Sequence, residues 1–140
     1  MFSDVKLKTK FFGIAIFIVI LDQITKALFR DVNYGIFNSV TNTGAAFGIF
    51  KGNVFVLGLI SLFVMILLVY YFYKSPALYL PLAFLLGGAT GNFIDRMFLG
   101  FVRDFIDLKF WPIFNIADSF NVIGVIILGY ILITAQEKHL

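Results

Sequence analysis

Long apolar stretches alternate with polar stretches along the chain. A helix that crosses a bilayer needs about 20 mostly apolar residues, and four segments of the sequence have that length. The second and third are separated only by "KSP", with a proline near the start of the following helix, where proline is favoured. The pattern predicts an all-α membrane protein, one domain over residues 1–140. The predicted transmembrane helices are residues 11–29, 54–73, 77–94 and 116–135.

The composition supports a membrane protein. The chain is 61% hydrophobic and 14% charged, against about 45–50% and about 25% in soluble domains. The sequence has no cysteine, and its single histidine, His139, is next to last, so neither a metal site nor a cofactor is expected. Its basic residues form no stripe, which argues against a nucleic-acid partner.

Two polar connections, residues 30–53 and 95–115, join the predicted helices. Four spans place both of these loops on one side of the membrane and both termini on the other. Counting basic residues does not decide the orientation, but Lys6, Lys8 and Lys10 directly precede the first span, which usually dominates. We therefore expect cytoplasmic termini and extracytoplasmic loops. The first helix is expected to be retained, because no small-x-small cleavage site follows it.

Two motifs carry polar residues in or near the first loop. "LDQITK" places Asp22 and Lys26 four residues apart on one helix face, where opposite charges neutralise each other; a structural ion pair is favoured over catalysis. "TNTGAAFGIF" contains Asn42, Gly44 and Gly48. We expect a short extended, β-like segment there, on the outer membrane surface, in which the glycines allow close approach of a ligand or a sharp bend. An ordinary loop is the alternative.

The third predicted helix ends in "LLGGATGNFIDR". Gly87 and Gly91 lie four residues apart, so this face can pack closely against another helix. Packing does not explain Asn92, Asp95 and Arg96 at the helix end. Neighbours at i and i+1 do not face each other on a helix, so Arg96 is expected to face a carboxylate elsewhere.

The stretch "FVRDFIDLKFWPIFNIADSFNVIG" brings three carboxylates close to the fourth helix. Taken alone, Asp118 is a helix cap and Asp104 and Asp107 are solvated loop charges. Taken together, Asp104 and Asp118 could face each other if the loop folds back. Two carboxylates that close share one proton, and such a pair can activate water against a peptide carbonyl. Asp107 is expected to be a bystander.

These motifs, in this order and at these places, resemble the lipoprotein signal peptidase family, also called signal peptidase II. The resemblance covers nearly the whole chain. It implies a membrane aspartic endopeptidase of the bacterial cytoplasmic membrane that removes the signal peptide from diacylglyceryl-modified prolipoproteins, before the lipidated cysteine. Asp104 and Asp118 would be the catalytic pair. Asn42, Gly44, Asn92, Arg96 and Asn115 would line the substrate site, and Asp22, Lys26 and Asp95 would support it.

The resemblance also implies sensitivity to the cyclic peptide globomycin. We expect membrane lipid and prolipoproteins as partners and a monomeric enzyme. The Gly-rich first loop is a candidate clamp over the site. The main alternative is a small ion- or proton-coupled transporter, since intramembrane charges often mark ion pathways; against it, the charges gather at one face and no inverted repeat is visible. A non-catalytic scaffold with helix-locking polar residues is the third possibility.

Overall fold

Four long helices account for most of the structure. The computed structural model describes residues 2–44 and 52–137. Each helix is long and apolar enough to cross a membrane, which confirms the predicted all-α membrane fold with four spans. A single 3-10 turn, Pro76–Leu78, separates the second helix from the third. The helices are α1 (Phe2–Leu28), α2 (Val54–Lys74), α3 (Tyr79–Leu99) and α4 (Ile116–Glu137).

Two helices are longer than the apolar pattern indicates. Helix α1 starts at Phe2, before the basic residues that precede the predicted span, and α3 continues past residue 94 to Leu99. Asp95 and Arg96 therefore lie within α3 and not in a loop. They can stay helical because both side chains have polar partners inside the protein. Gly100, with a left-handed φ of 76°, ends the helix in the manner that favours glycine.

Helix α3 lies at the centre of the bundle and packs against each of the other three helices. Near the end remote from the long loops, Phe11 of α1 stacks on Phe72 of α2, with ring centroids 3.9 Å apart and planes 2° from parallel. These rings and the α3 residues Leu82, Ala83 and Leu86 belong to one buried apolar cluster. Most remaining apolar side chains of α1, α2 and α4 face outward, as lipid contact requires.

Glycines on α3 allow its neighbours to approach closely. A Cβ at Gly87 would lie 2.7 Å from the Cβ of Ile18 on α1, and a Cβ at Gly91 would lie 2.5 Å from the Oδ2 atom of Asp22. At Gly88 a Cβ would collide with the side chain of Asn121 on α4. The close helix packing predicted for this face is therefore present, and it brings α1 and α4 onto the polar end of α3.

A small antiparallel sheet joins the two long loops. Its strands are β1 (Asn33–Tyr34), β2 (Phe37–Asn42) and β3 (Val102–Ile106), in the order β1-β2-β3. The β-like loop element is thus confirmed, although it starts before the segment "TNTGAAFGIF". Gly48 lies outside the described residues. The register pairs Val40 with Asp104 and Asn42 with Val102, so both loops meet at one end of the bundle.

An ion pair at this end ties three helices together. Lys26 Nζ lies 2.7 Å from Asp22 Oδ2 and 3.5 Å from Asp95 Oδ2, and all three side chains are 0% exposed. Lys26 also donates to Asn92 Oδ1 of α3 at 2.9 Å. Asp22 Oδ1 accepts the backbone N–H of Ala117 at the start of α4, at 2.9 Å. The charges therefore connect α1 to α3 and α4, in agreement with a structural role.

Replacing Lys26 with Met should strongly destabilise the protein. The change leaves the carboxylates of Asp22 and Asp95 buried without their shared cation, a loss of about 3–5 kcal/mol for a broken buried pair. The matched control is Lys8→Met, since Lys8 forms the same i,i+4 pair with Asp4 in an exposed position, where such pairs contribute little. Thermal unfolding in detergent measures both; equal effects of the two changes would contradict the structural assignment.

Gly87→Ala should lower the unfolding temperature, because the new methyl group would overlap Ile18 and the backbone carbonyl of Ala15. Gly13 is a helical glycine whose added Cβ would meet nothing within 4 Å. Gly13→Ala should therefore leave the unfolding temperature unchanged or raise it slightly, since alanine is the better helix former. The same unfolding assay tests both variants, and an equally tolerated Gly87→Ala would show that α1 and α3 are less tightly packed.

Candidate active site

Asp104 lies on β3 and is 3% exposed. Each of its carboxylate oxygens accepts a hydrogen bond from an amide. Asn42 Nδ2 of β2 donates to Oδ2 at 2.9 Å, and Asn115 Nδ2 donates to Oδ1 at 2.6 Å. The sheet register thus supplies one donor, and the segment before α4 supplies the other.

Asp118 lies in the first turn of α4 and forms a reciprocal cap with Asn115. Asn115 Oδ1 accepts the backbone N–H of Asp118 at 2.9 Å, while Asp118 Oδ2 accepts the backbone N–H of Asn115 at 3.2 Å. This is the capping-box arrangement, with Asn and Asp in the two positions. The other oxygen, Oδ1, accepts Asn92 Nδ2 at 2.8 Å. The capping role considered from the sequence is therefore present.

Both carboxylates line a single cavity. The cavity has a volume of about 640 Å³, and Asp104 and Asp118 lie on it. Burial and the negative charge of Asp118 together raise the pKa of Asp104 to about 7, although the two amide donors favour its ionised form. The loop does fold back as the sequence argument required, so that the carboxylates interact. Asn42, Gly44, Asn92 and Arg96 also line this cavity.

Asn115 differs from the role first expected of it. It was expected to line the substrate site, but it is 0% exposed and lies behind the two carboxylates. Its side chain contacts both of them, through the donor to Asp104 and the acceptor to Asp118. A β-bridge between Ile106 and Phe114 holds the segment before α4 against β3, which makes this possible. Asn115 is therefore placed to fix the two carboxylates relative to each other.

Asn92 links the carboxylates to the buried cation. Its Oδ1 atom accepts both Lys26 Nζ at 2.9 Å and Asn115 Nδ2 at 3.0 Å. With two donors on that oxygen, its Nδ2 group is left to donate to Asp118. Lys26 on α1 and Asn115 just before α4 therefore fix the orientation of the Asn92 amide.

Asp95 does not line the cavity, and besides its ion pair with Lys26 it bonds to Arg103 and Gln23. Its oxygens accept Arg103 Nη2 at 2.7 Å, Arg103 Nε at 3.1 Å and Gln23 Nε2 at 3.2 Å. Arg103 Nη2 also donates to Gln23 Oε1 at 2.7 Å, and the bond to Asp95 raises the pKa of Arg103. This supporting arrangement agrees with the place expected for Asp95. Gln23 and Arg103 were not identified from the sequence; the one available signal was an arginine directly before Asp104.

Arg96 shares the cavity with Asp118 and Asp104, whose charges act on it, so the expectation that it faces a carboxylate is met without an ion pair. Within residues 2–44 and 52–137, no carboxylate lies within ion-pair distance of it. Arg96 instead donates to the hydroxyl of Ser61 on α2 at 3.4 Å and to the backbone carbonyl of Gly44 at 3.5 Å. The Gly44 N–H in turn donates to Asn42 Oδ1 at 2.9 Å. Arg96 therefore connects α3 to α2 and to Gly44, just after β2.

Asp107 is separate from the cavity, although it is not a freely solvated charge. Its side chain is 11% exposed, and it accepts Lys109 Nζ at 2.7 Å and Asn38 Nδ2 at 3.2 Å. The bonds from Lys109 and Asn38 lower its pKa to about 2. Asp107 thus stabilises the turn that follows β3, and it serves as an internal comparison for the two cavity carboxylates.

The chemistry available at the cavity is acid–base chemistry. Two interacting carboxylates are held by neutral amide donors, and one of them has a pKa near neutrality. Such a pair can hold one proton between two groups and exchange it with water. In the described part of the chain, no group of three or more His, Cys, Asp or Glu residues is placed to hold a metal ion.

Comparison with known proteins gives consistent matches. The family model of signal peptidase (SPase) II matches residues 14–134. The lipoprotein signal peptidase of Caldanaerobacter subterraneus is 45% identical over 135 residues, which cover 86% of this chain and 93% of that relative. The lipoprotein signal peptidase of Syntrophomonas wolfei is 42% identical over 144 residues, which cover 93% of this chain and 96% of the relative.

A solved structure has the same fold. It is described as a bacterial membrane enzyme structure obtained by the in meso method at 2.3 Å resolution, and it superposes with a TM-score of 0.84 at 36% identity. The match covers 92% of this chain and 90% of that one. Since the family model spans most of the sequence and the relatives match over nearly their whole length, the chain belongs to the signal peptidase II family.

Proposed function

We propose that this chain is an aspartic endopeptidase that removes the signal peptide from diacylglyceryl-modified prolipoproteins, cutting before the lipidated cysteine. Family membership supports a protease that acts on prolipoproteins. The main support for an aspartic mechanism is that Asp104 and Asp118 line the same cavity and that the pKa of Asp104 is raised to about 7.

In the proposed reaction, a water molecule is activated between the two carboxylates. The ionised Asp118 takes a proton from water as the water oxygen bonds to the scissile carbonyl carbon. Asp104, which holds the shared proton near neutral pH, donates that proton to the carbonyl oxygen. When the tetrahedral gem-diol collapses, the C–N bond breaks, and the proton on Asp118 passes to the leaving amine. One hydroxyl proton of the gem-diol returns to Asp104, which restores the starting state of the pair. Asn42, Asn92 and Asn115 keep the two carboxylates oriented throughout.

The position of the cavity suits a substrate that is itself embedded in the membrane. The chain is a multi-pass membrane protein of a bacterial family. We place its termini in the cytoplasm and the cavity near the extracytoplasmic face of the cytoplasmic membrane. A prolipoprotein then reaches the site laterally, from within the lipid. We further expect a monomeric enzyme that is inhibited by globomycin-type cyclic peptides.

Asp104→Asn and Asp118→Asn should each abolish cleavage, because an amide can neither share the proton nor accept one from water. Asp107→Asn is the matched control, since its bonds to Lys109 and Asn38 lie away from the cavity, and its activity should remain near that of the wild type. The assay follows release of the signal peptide from a diacylglyceryl-modified prolipoprotein by gel shift, with thermal unfolding as the check on folding. Cleavage by a folded Asp104→Asn or Asp118→Asn variant would disprove the pair.

Cleavage should decline as the pH rises through about 7, where Asp104 loses its proton. Asn42 donates to the Asp104 carboxylate and so favours its ionised form. Asn42→Ala removes that donor, which raises the pKa of Asp104 and should shift the alkaline decline of kcat/KM to higher pH.

The control for this shift is Asn38→Ala, since Asn38 makes the equivalent bond to Asp107. Its pH profile should match that of the wild type. Because the two carboxylates interact, the measured values belong to the pair. An alkaline limb that Asn42→Ala leaves in place, or moves to lower pH, would contradict Asp104 as the holder of the proton.

A further inference from the structure

A second cavity, of about 340 Å³, lies between α2 and α4 and is floored by α3. Its walls away from the loops are mostly apolar, with Ile60, Val64 and Leu68 from α2 and Leu85 and Ala89 from α3. This cavity shares part of its wall with the larger one at the sheet. It therefore extends the larger cavity from the carboxylates along α3, as a cleft with apolar walls.

Four polar residues line both cavities: Asn92, Arg96, Asp118 and Asn121. Three of them are hydrogen-bonded within the protein. Asn92 bonds to Lys26 and Asp118, and Arg96 bonds to Ser61 and Gly44. Within the described residues, Asn121 is the member of this set whose side chain has no hydrogen-bond partner.

Asn121 follows Asp118 by three residues on α4, so the two side chains lie on neighbouring parts of one helix face. At about 1.5 Å of rise per residue, Asn121 is about 4.5 Å farther along the helix, away from the sheet. Its Oδ1 atom lies against Gly88 of α3, where a larger residue would collide with it. Because that oxygen faces α3, the Nδ2 group is the donor available to the cavity.

An unpaired amide at membrane depth is unfavourable unless a partner arrives. A transmembrane signal helix that ends at the cleavage site would bring one. The last four carbonyl groups of a helix have no partner within the helix, and lipid offers none. The diacylglyceryl group on the cysteine brings ester carbonyls to the same region. Each source presents a carbonyl oxygen, which can accept a hydrogen bond from the unpaired Nδ2 group of Asn121.

We propose that Asn121 is a substrate-binding residue that donates from Nδ2 to a carbonyl oxygen of the bound prolipoprotein. This inference rests on the proposed peptidase function and adds a contact between the catalytic pair and the apolar cleft. The acceptor is either a peptide carbonyl in the last turn of the signal helix or an ester carbonyl of the lipid.

The test measures KM and kcat for wild type, Asn121→Leu and Asn121→Ala on two substrates. One is a prolipopeptide with an ester-linked diacylglyceryl cysteine, and the other carries the ether-linked dialkyl group, which has no ester carbonyl. Leucine has the branched shape of asparagine without the donor, and alanine relieves any crowding that the larger leucine causes beside Gly88. The control is Val125→Ala, at a position on α4 that is 60% exposed to the surroundings.

Both Asn121 variants should raise KM about tenfold, the factor for one hydrogen bond of about 1.4 kcal/mol, with kcat within about twofold of wild type. Val125→Ala should change neither parameter, and thermal unfolding shows whether each variant is folded. A rise in KM on both substrates identifies a peptide carbonyl as the acceptor. A rise confined to the ester substrate identifies the lipid ester.

An unchanged KM on both substrates, or a fall in kcat alone, would overturn the role of Asn121 while leaving the peptidase function intact. If the wild-type protein cleaves neither substrate, the proposed function itself fails, which is a different result from any change seen among the variants.

Discussion

The structure depends on one requirement, which is that each fully buried polar side chain in the described part of the bundle must have a partner within the protein. Lipid supplies no hydrogen bonds, so an unsatisfied group there is strongly unfavourable. Lys26 meets this requirement for Asp22, Asp95 and Asn92 at once, with all of these side chains buried. Removing the ammonium group would leave several acceptors without compensation. The bundle is therefore held at this end by electrostatics and hydrogen bonds, and at the other end by the apolar cluster around Phe11 and Phe72.

The same bonds that satisfy buried groups also prepare the site for chemistry. Asn92 receives Lys26 on its oxygen and presents its nitrogen to Asp118, while Asn115 contacts both carboxylates. Neutral amides hold the carboxylates in place without neutralising them as an arginine would. Burial can then keep the pKa of Asp104 near 7. Arg103, the guanidinium next to Asp104 in the chain, is instead bonded to Asp95 and Gln23.

The sequence predicted the helices well because their signal is strong and local. About 20 consecutive apolar residues have few alternatives to a membrane span, and all four spans are present. The ends were less predictable. Helix α3 keeps Asp95 and Arg96 because Asp95 bonds to Arg103, and Arg96 bonds to Gly44 and Ser61. Gly44 and Ser61 are distant from Arg96 in sequence, and no local pattern reveals any of these partners. For the same reason Arg96 was assigned a carboxylate that it does not contact, and Gln23 was missed.

The pair Asp104 and Asp118 could be proposed from the sequence because a loop between them can close, but their geometry depends on two features that spacing does not encode. The register of β2 with β3 places Asn42 beside Asp104, and the cap at the start of α4 fixes Asp118 through Asn115. The structural and the chemical interpretations of Asp118 were posed as alternatives, yet the structure shows why they are compatible. As the residue that caps α4, Asp118 accepts the backbone N–H of Asn115 with Oδ2, and its Oδ1 atom accepts Asn92 Nδ2 at the cavity wall. The capping bond therefore holds the Asp118 carboxylate in place without removing it from the cavity that it shares with Asp104.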